Sequence, residues 1–254
     1  MESWCDKLAA TPAMGFKVDV HFESIDSVLD ALSPILDKSV EGERPTFTVE
    51  KREPFSVNVN AQTGYNYLVE PSRISVTFQH VMKMKMVSGG PPIAEMISHP
   101  LPYTELLQSV ATQLMETTSL ICEGSTRKIS RIGIVASAIV DAVDIPPGMA
   151  RFITYIGRPW KGFADHYTFQ ITAQLAEDSA WSDRCIHTLS KAEEDPEQLI
   201  RLNFDWQRSF KTGRPTTRES MKELVKFAED AALKYFEELA EGNLFDEKLI
   251  HEAT

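Results

Sequence analysis

The 254-residue sequence predicts an α+β fold in which antiparallel sheets carry helices packed on one face. Two observations lead there. Strand-like segments follow one another directly with few helices between them, and strands joined without a crossover helix pair antiparallel. Most of these segments also alternate apolar and polar residues, so each has one dry and one wet face. A third observation, that the order of elements recurs, leaves two organisations open. The chain is a single compact unit, 1–254, or two similar halves, 1–126 and 127–254, each a strand-helix-strands-helix unit.

Phe16, Val18, Val20 and Phe22 alternate with Lys17, Asp19 and His21, predicting a strand over 16–22. Ser24 can cap a helix whose apolar stripe is Ile25, Val28, Leu29, Leu32, Ile35 and Leu36. Pro34 inside that stripe predicts a kink or break. Strands are expected over 46–52, 55–63 and 65–69, and then as one long segment over 73–86 after the turn Glu70-Pro71-Ser72. In that segment Met82, Met84 and Met86 share one face, and Lys83 and Lys85 the other. "SGGPP" (88–92) breaks the chain, and Pro102 suits the first turn of a helix running to Gly124.

From Ile129 the order recurs: a strand over 129–140, a short helix over 146–157, and strands over 166–178, 184–192 and 199–208. A long helix starts near 217, where Thr216-x-x-Glu219 reads as a capping box preceded by Pro215. Gly15 and Gly133, near the starts of the two opening strands, lie 118 positions apart. Pro102 and Pro215, before the two closing helices, lie 113 apart. The two halves share pattern, not residue identity.

Composition is that of an ordinary globular protein, 43% hydrophobic and 25% charged. Apolar runs fall short of the roughly 20 residues a membrane helix needs. The N-terminus has an acidic second residue and no basic-then-apolar pattern, so a cytoplasmic location without membrane association is expected. Cys5, Cys122 and Cys185 are widely spaced and form no C-x-x-C pair, so neither a zinc site nor a disulfide framework is indicated, and Cys122 and Cys185 read as buried free thiols. A net charge of −11 repels nucleic acid from the molecule as a whole and leaves room only for a local basic site. The densest one is "RSFKTGRPTTR" (208–218), read as a loop carrying Arg208, Lys211, Arg214 and Arg218.

No phosphate-binding, dinucleotide-binding, nucleophile-elbow or H-E-x-x-H pattern occurs, and no two of the six histidines have metal-ligand spacing. No metal and no cofactor are therefore expected. The segment "GRPWKGFADHY" (157–167) crowds Arg158, Trp160, Lys161, Asp165 and His166 into a loop punctuated by Gly and Pro. Asp165 or His166 could act there as a base, with Arg158 or Lys161 steadying an anion. Cys185 and His187, two apart on one strand, point to the same face and form a conceivable nucleophile–base pair without a third orienting group. Phe204 and Trp206 with Tyr167 and Phe169 read as core, or as the lining of a cavity.

The segment "ISRIGIVASAIV" resembles the "RIGLRYIN"-type strand of a patchily distributed family of uncharacterised bacterial proteins of about this length. The likeness extends to "LIRLNFDWQR" with the helix "MKELVKFAEDAALKYFEELAE", and to "FKVDVHF", together about a third of the chain. It departs at Ala136, Ser137 and Ala138, where that family carries a polar tail. The resemblance implies a bacterial, cytosolic α+β protein and transfers no catalytic residue; its patchy distribution suits a defence or toxin–antitoxin setting.

These readings favour a non-catalytic binding or regulatory protein that engages a protein partner or a small ligand. The first alternative is an enzyme acting from the 157–167 loop. The second is a nucleic-acid accessory factor acting through the basic 208–218 segment.

Overall fold

The computed structural model describes residues 4–8, 10–20, 24–36, 47–52, 56–61, 63–80, 82–85, 93–96, 101–122, 126–141, 145–157, 167–191 and 199–241. Along the chain run α1 (Trp4–Lys7), β1 (Thr11–Val18), α2 (Ile25–Leu36), β2 (Phe47–Arg52), β3 (Ser56–Ala61), β4 (Tyr65–Glu70), β5 (Arg73–Phe78), β6 (Met82–Lys85) and β7 (Ile93–Met96). There follow α3 (Tyr103–Ile121), β8 (Lys128–Val140), α4 (Pro147–Gly157), β9 (Tyr167–Glu177), β10 (Trp181–Lys191), β11 (Ile200–Pro215) and α5 (Arg218–Glu241). Nine strands form one sheet in the order β2-β3-β4-β5-β1-β8-β11-β10-β9, antiparallel at every pairing. The α+β architecture with helices packed on the sheet is thus present.

The centre of the sheet is the β1–β8 pair, where Gly15 lies opposite Gly133. After β1 the chain passes through α2 into the meander β2 to β5, and β5 returns to the free edge of β1 before α3. After β8 it passes through α4 into the meander β9 to β11, and β11 returns to the free edge of β8 before α5. The β6–β7 hairpin makes a separate two-stranded sheet.

One face is covered. A row of inward residues crosses the sheet as Val59, Tyr67, Val76, Met14, Ile134, Trp206, Cys185 and Ala173. Helix α3 packs on β1 and β5, and α5 packs on β8 and β11. Phe16, Ile74, Ile132, Leu114 and Met221 are fully enclosed between the layers, each stabilising the fold by about 1.5–3 kcal/mol. Tyr103 meets Phe236 edge-on at 5.1 Å where the two long helices touch. Pro102 supplies no side-chain cap to α3; instead the Asp6 carboxylate accepts hydrogen bonds from the Thr104 N–H (3.0 Å) and hydroxyl (2.9 Å).

Several expectations are corrected. Strand β1 begins at Thr11, ahead of the predicted Phe16, because Thr11 and Pro12 pair with Ser137 and Ala136 of β8. Pro12 is tolerated in a central strand because β5 joins β1 only from Ala13 onward. Helix α2 runs past Pro34 to Leu36: the proline falls in the last turn, and burial of Val28, Leu32 and Ile35 holds it. The predicted long strand 73–86 divides into β5 and β6, and the segment after Pro92, for which no element is predicted, supplies β7. The cap of α5 is Thr217, whose hydroxyl accepts the Ser220 N–H at 3.4 Å, one residue later than predicted. The basic 208–218 segment is not a loop. β11 extends to Pro215, with an irregularity between Ser209 and Arg214.

Candidate functional site

The residues singled out at 157–167, Arg158, Trp160, Lys161, Asp165 and His166, lie outside the described residues. The four basic residues of 208–218 are placed, and strand geometry disperses them. Arg208 turns to the covered face and meets the Asp183 carboxylate through two hydrogen bonds of 2.7 Å. The rings of Trp181 (4.1 Å) and Phe227 (4.3 Å) sandwich its guanidinium. Arg208 is therefore a tie between β10, β11 and α5 rather than a surface cation. Lys211 donates to the Asp178 carbonyl at 3.1 Å and faces Glu177 at the β9–β10 turn. Arg214 reaches Glu223 of α5 at 2.6 Å. Arg218, exposed in the first turn of α5, borders a groove beside Pro34, Thr112 and Glu116. No single basic patch results.

Cys185 and His187 do share a face and touch, Sγ to Nε2 at 2.9 Å. They lie under α5, where the His187 ring packs against Phe204 and Tyr235, each at 5.3 Å. Burial raises the thiol above its ordinary value, and burial lowers the imidazole below its own. Both shifts favour the neutral pair over thiolate and imidazolium, which is the opposite of what an activated cysteine requires. All three cysteines are buried, and none is in a disulfide. Phe204 and Trp206 are core residues, Phe204 stacking on Tyr235 at 4.3 Å. Among the described residues, no group of three or more His, Cys, Asp or Glu side chains is arranged to hold a metal ion.

The opposite face of the sheet is open. At its centre Gly15 and Gly133 leave a space without side chains, a shallow trough of about 290 Å³. A Cβ on Gly15 would stand 2.9 Å from Ser75 Cβ, so close strand approach requires that glycine. At Gly133 the nearest atoms to a built Cβ are at 3.4 and 3.5 Å, and the side chain would simply occupy the trough. Lys17, Arg73 and Arg131 border the trough with Asp205 and Gln207. Arg131 Nη1 donates to Gln207 Oε1 (2.8 Å), and Gln207 Nε2 donates in turn to Asp205 (3.0 Å). One of the five guanidinium donors is thus committed to orienting Arg131. Arg73 pairs with Glu70 at 3.0 Å, while Lys17 has no ion-pair partner among the described residues.

Strand register adds Arg184 and Arg201 to the same face, together with the hydrogen-bonding side chains of Asn203, Ser137, Thr188 and Asn58. Glu70, Asp205 and Glu177 are acids of that face, and register places Glu50 of β2 opposite Asn58. Helix α5 on the covered side, by contrast, carries seven acids against four bases. The open face thus mixes cations with acids, while α5 is net acidic. Sequence reasoning missed the trough. Its residues are the polar positions of the alternation, but the register that assembles five strands' worth of them is set by pairings as distant in sequence as Thr11 with Ser137.

No family model matches the chain, and no curated protein matches it. Among solved structures, a rolling circle replication initiator protein from Geobacillus stearothermophilus aligns over 89% of this chain and 79% of that one, at 8% identity and a TM-score of 0.30. A likeness at that level carries no argument about architecture or activity. Among the described residues no helix is long and apolar enough to cross a membrane.

Proposed function

We propose that this chain is a non-catalytic binding protein of the bacterial cytosol that holds an acidic segment of a protein partner on the open face of its sheet. The observation supporting this most directly is the trough at Gly15 and Gly133 with Lys17, Arg73 and Arg131 along its border. The space is shallow and broad, which suits an extended chain better than an enclosed small molecule. The open face offers cations and Ser, Thr, Asn and Gln side chains for hydrogen bonding. Its described strand residues include no aromatic ring for base stacking, which favours a polypeptide over single-stranded nucleic acid. The resemblance of "ISRIGIVASAIV" to a strand of a bacterial family supports the compartment, and through it an accessory role in a defence or toxin–antitoxin system.

The test is affinity capture from bacterial lysate, with bound protein read by mass spectrometry and bound nucleic acid by its nuclease-sensitive absorbance, comparing the wild type with a variant carrying Lys17→Glu, Arg73→Glu and Arg131→Glu. A partner lost on charge reversal, and lost again with Gly133→Leu, supports the reading. Partners retained by both variants would place binding elsewhere on the molecule. Nucleic acid retained in place of protein, with a salt slope reduced by the reversal, would replace the polypeptide with a polynucleotide.

A further inference from the structure

β9 closes the sheet. It pairs with β10, and among the described residues no strand lies along its outer edge. Such an edge exposes a row of unpaired N–H and C=O groups, which folded proteins ordinarily guard with charge or proline. From Thr168 to Ala176 β9 has neither, reading T-F-Q-I-T-A-Q-L-A. Two residues of its covered-side row, Ile171 and Leu175, are also left open, because α5 packs on β8 and β11 and stops short of the rim. Ile171 is 37% and Leu175 54% exposed, two of the few large apolar side chains in the described chain so open to water. They border an apolar groove of about 240 Å³ that continues inward to Tyr235 and Leu239.

We infer that this rim is the interface between two copies of the chain, joined by antiparallel pairing of β9 with β9 about a two-fold axis at Thr172. The occupant is identified by the symmetry of the sequence itself. Around Thr172 the pattern is palindromic in character: Ile171 opposes Ala173 and Gln170 opposes Gln174, with Phe169 facing Leu175 beyond them. Each apolar residue then meets an apolar residue, and each amide meets an amide able both to donate and to accept. No charge faces its own copy, which matters in a protein of net charge −11. A register shift opposite Asp183 and Arg184 introduces one extra residue at Leu175, and the regular stretch around Thr172 ends there. In this arrangement the two grooves meet under the axis and cover Ile171 and Leu175 from both sides. The helices of both copies fall on one side of an eighteen-stranded sheet, and both open faces lie on the other. This assembly is independent of what the open face binds.

Light scattering on the full chain tests it together with a register-specific cross-link. The wild type should run as a dimer. Thr172→Cys should form a covalent dimer under mild oxidation, since residues on the axis have Cα atoms about 4.5–5.5 Å apart, within disulfide range. Gln174→Cys should not, because its two copies would stand about 13 Å apart along the strands. Replacing Gln170, Thr172 and Gln174 by Lys places like charges opposite one another and should give a monomer with an unchanged circular-dichroism spectrum. A monomeric wild type, a dimer that survives the three lysines, or equal cross-linking at 172 and 174 would each overturn this assembly.

Discussion

Arg208 and Asp183 are joined by two parallel hydrogen bonds of 2.7 Å beneath the rings of Trp181 and Phe227, with only 14% and 9% of their side chains exposed. The fork-to-carboxylate geometry satisfies both groups at once. Removing one partner leaves the other charge enclosed, and that loss exceeds what the pair contributes over neutral residues. Arg208→Ala and Asp183→Ala should each lower stability by about 3 kcal/mol in urea unfolding. The double variant should lose clearly less than the sum. Single losses below about 1 kcal/mol, the range of surface pairs, would show that the pair is solvated.

The two glycines at the centre of the sheet should respond differently to the same added methyl group. Gly15→Ala presses on Ser75 Cβ at 2.9 Å and on the Ile74 carbonyl oxygen at 3.1 Å, so β1 and β5 must separate. A loss of about 1–3 kcal/mol is expected. Gly133→Ala makes only ordinary contacts and should change stability by less than about 0.5 kcal/mol. Thermal denaturation of both variants reads the contrast directly, and equal losses would mean that the trough is tighter at Gly133 than its distances indicate.

His187 gives the fold a pH dependence of defined sign. Burial holds its imidazole below the ordinary histidine value of 6.5, while Glu238 acts weakly the other way. Between 6.5 and the lower folded value, the unfolded chain binds a proton that the folded chain does not. Stability from this group is therefore complete above 6.5 and lost as pH falls through that window. Glu229, raised above 4.5 mainly by burial, contributes with the opposite sign in wild type and variant alike, so it cancels in their difference. The stability of His187→Phe should fall less than that of the wild type on acidification from above 6.5 to well below it. Parallel curves would mean that His187 is already hydrated. In the same protein, iodoacetamide should label Cys185 only after unfolding, as expected for a protonated thiol out of reach of solvent.

The alternation in 129–140 and 199–208, and in the described part of 16–22, was enough to name the covered face, because burial on one side of a strand imposes a period of two on the sequence. The same alternation says nothing about which strands are neighbours. That Gly15 would face Gly133, bringing Lys17 beside Arg131, depends on pairing across 118 positions. Arg208 shows a different limit. In "RSFKTGRPTTR" it looks like one cation among four, and only the placement of Asp183 and Trp181 on the adjacent strand reveals it as an internal tie. Asp6 is similar: nothing near it in the chain announces that it will cap a helix beginning almost a hundred residues later.

Strand β1, made first, has both its neighbours far downstream. β5 ends at Phe78, and β8 is not complete until Val140. As the chain leaves the ribosome, Met14 and Phe16 must wait for more than a hundred further residues before their second wall exists. The central seam of the sheet thus closes only after the β2 to β5 meander and α3 have been made, and until then the nascent chain carries a hydrophobic strand with one edge unpaired.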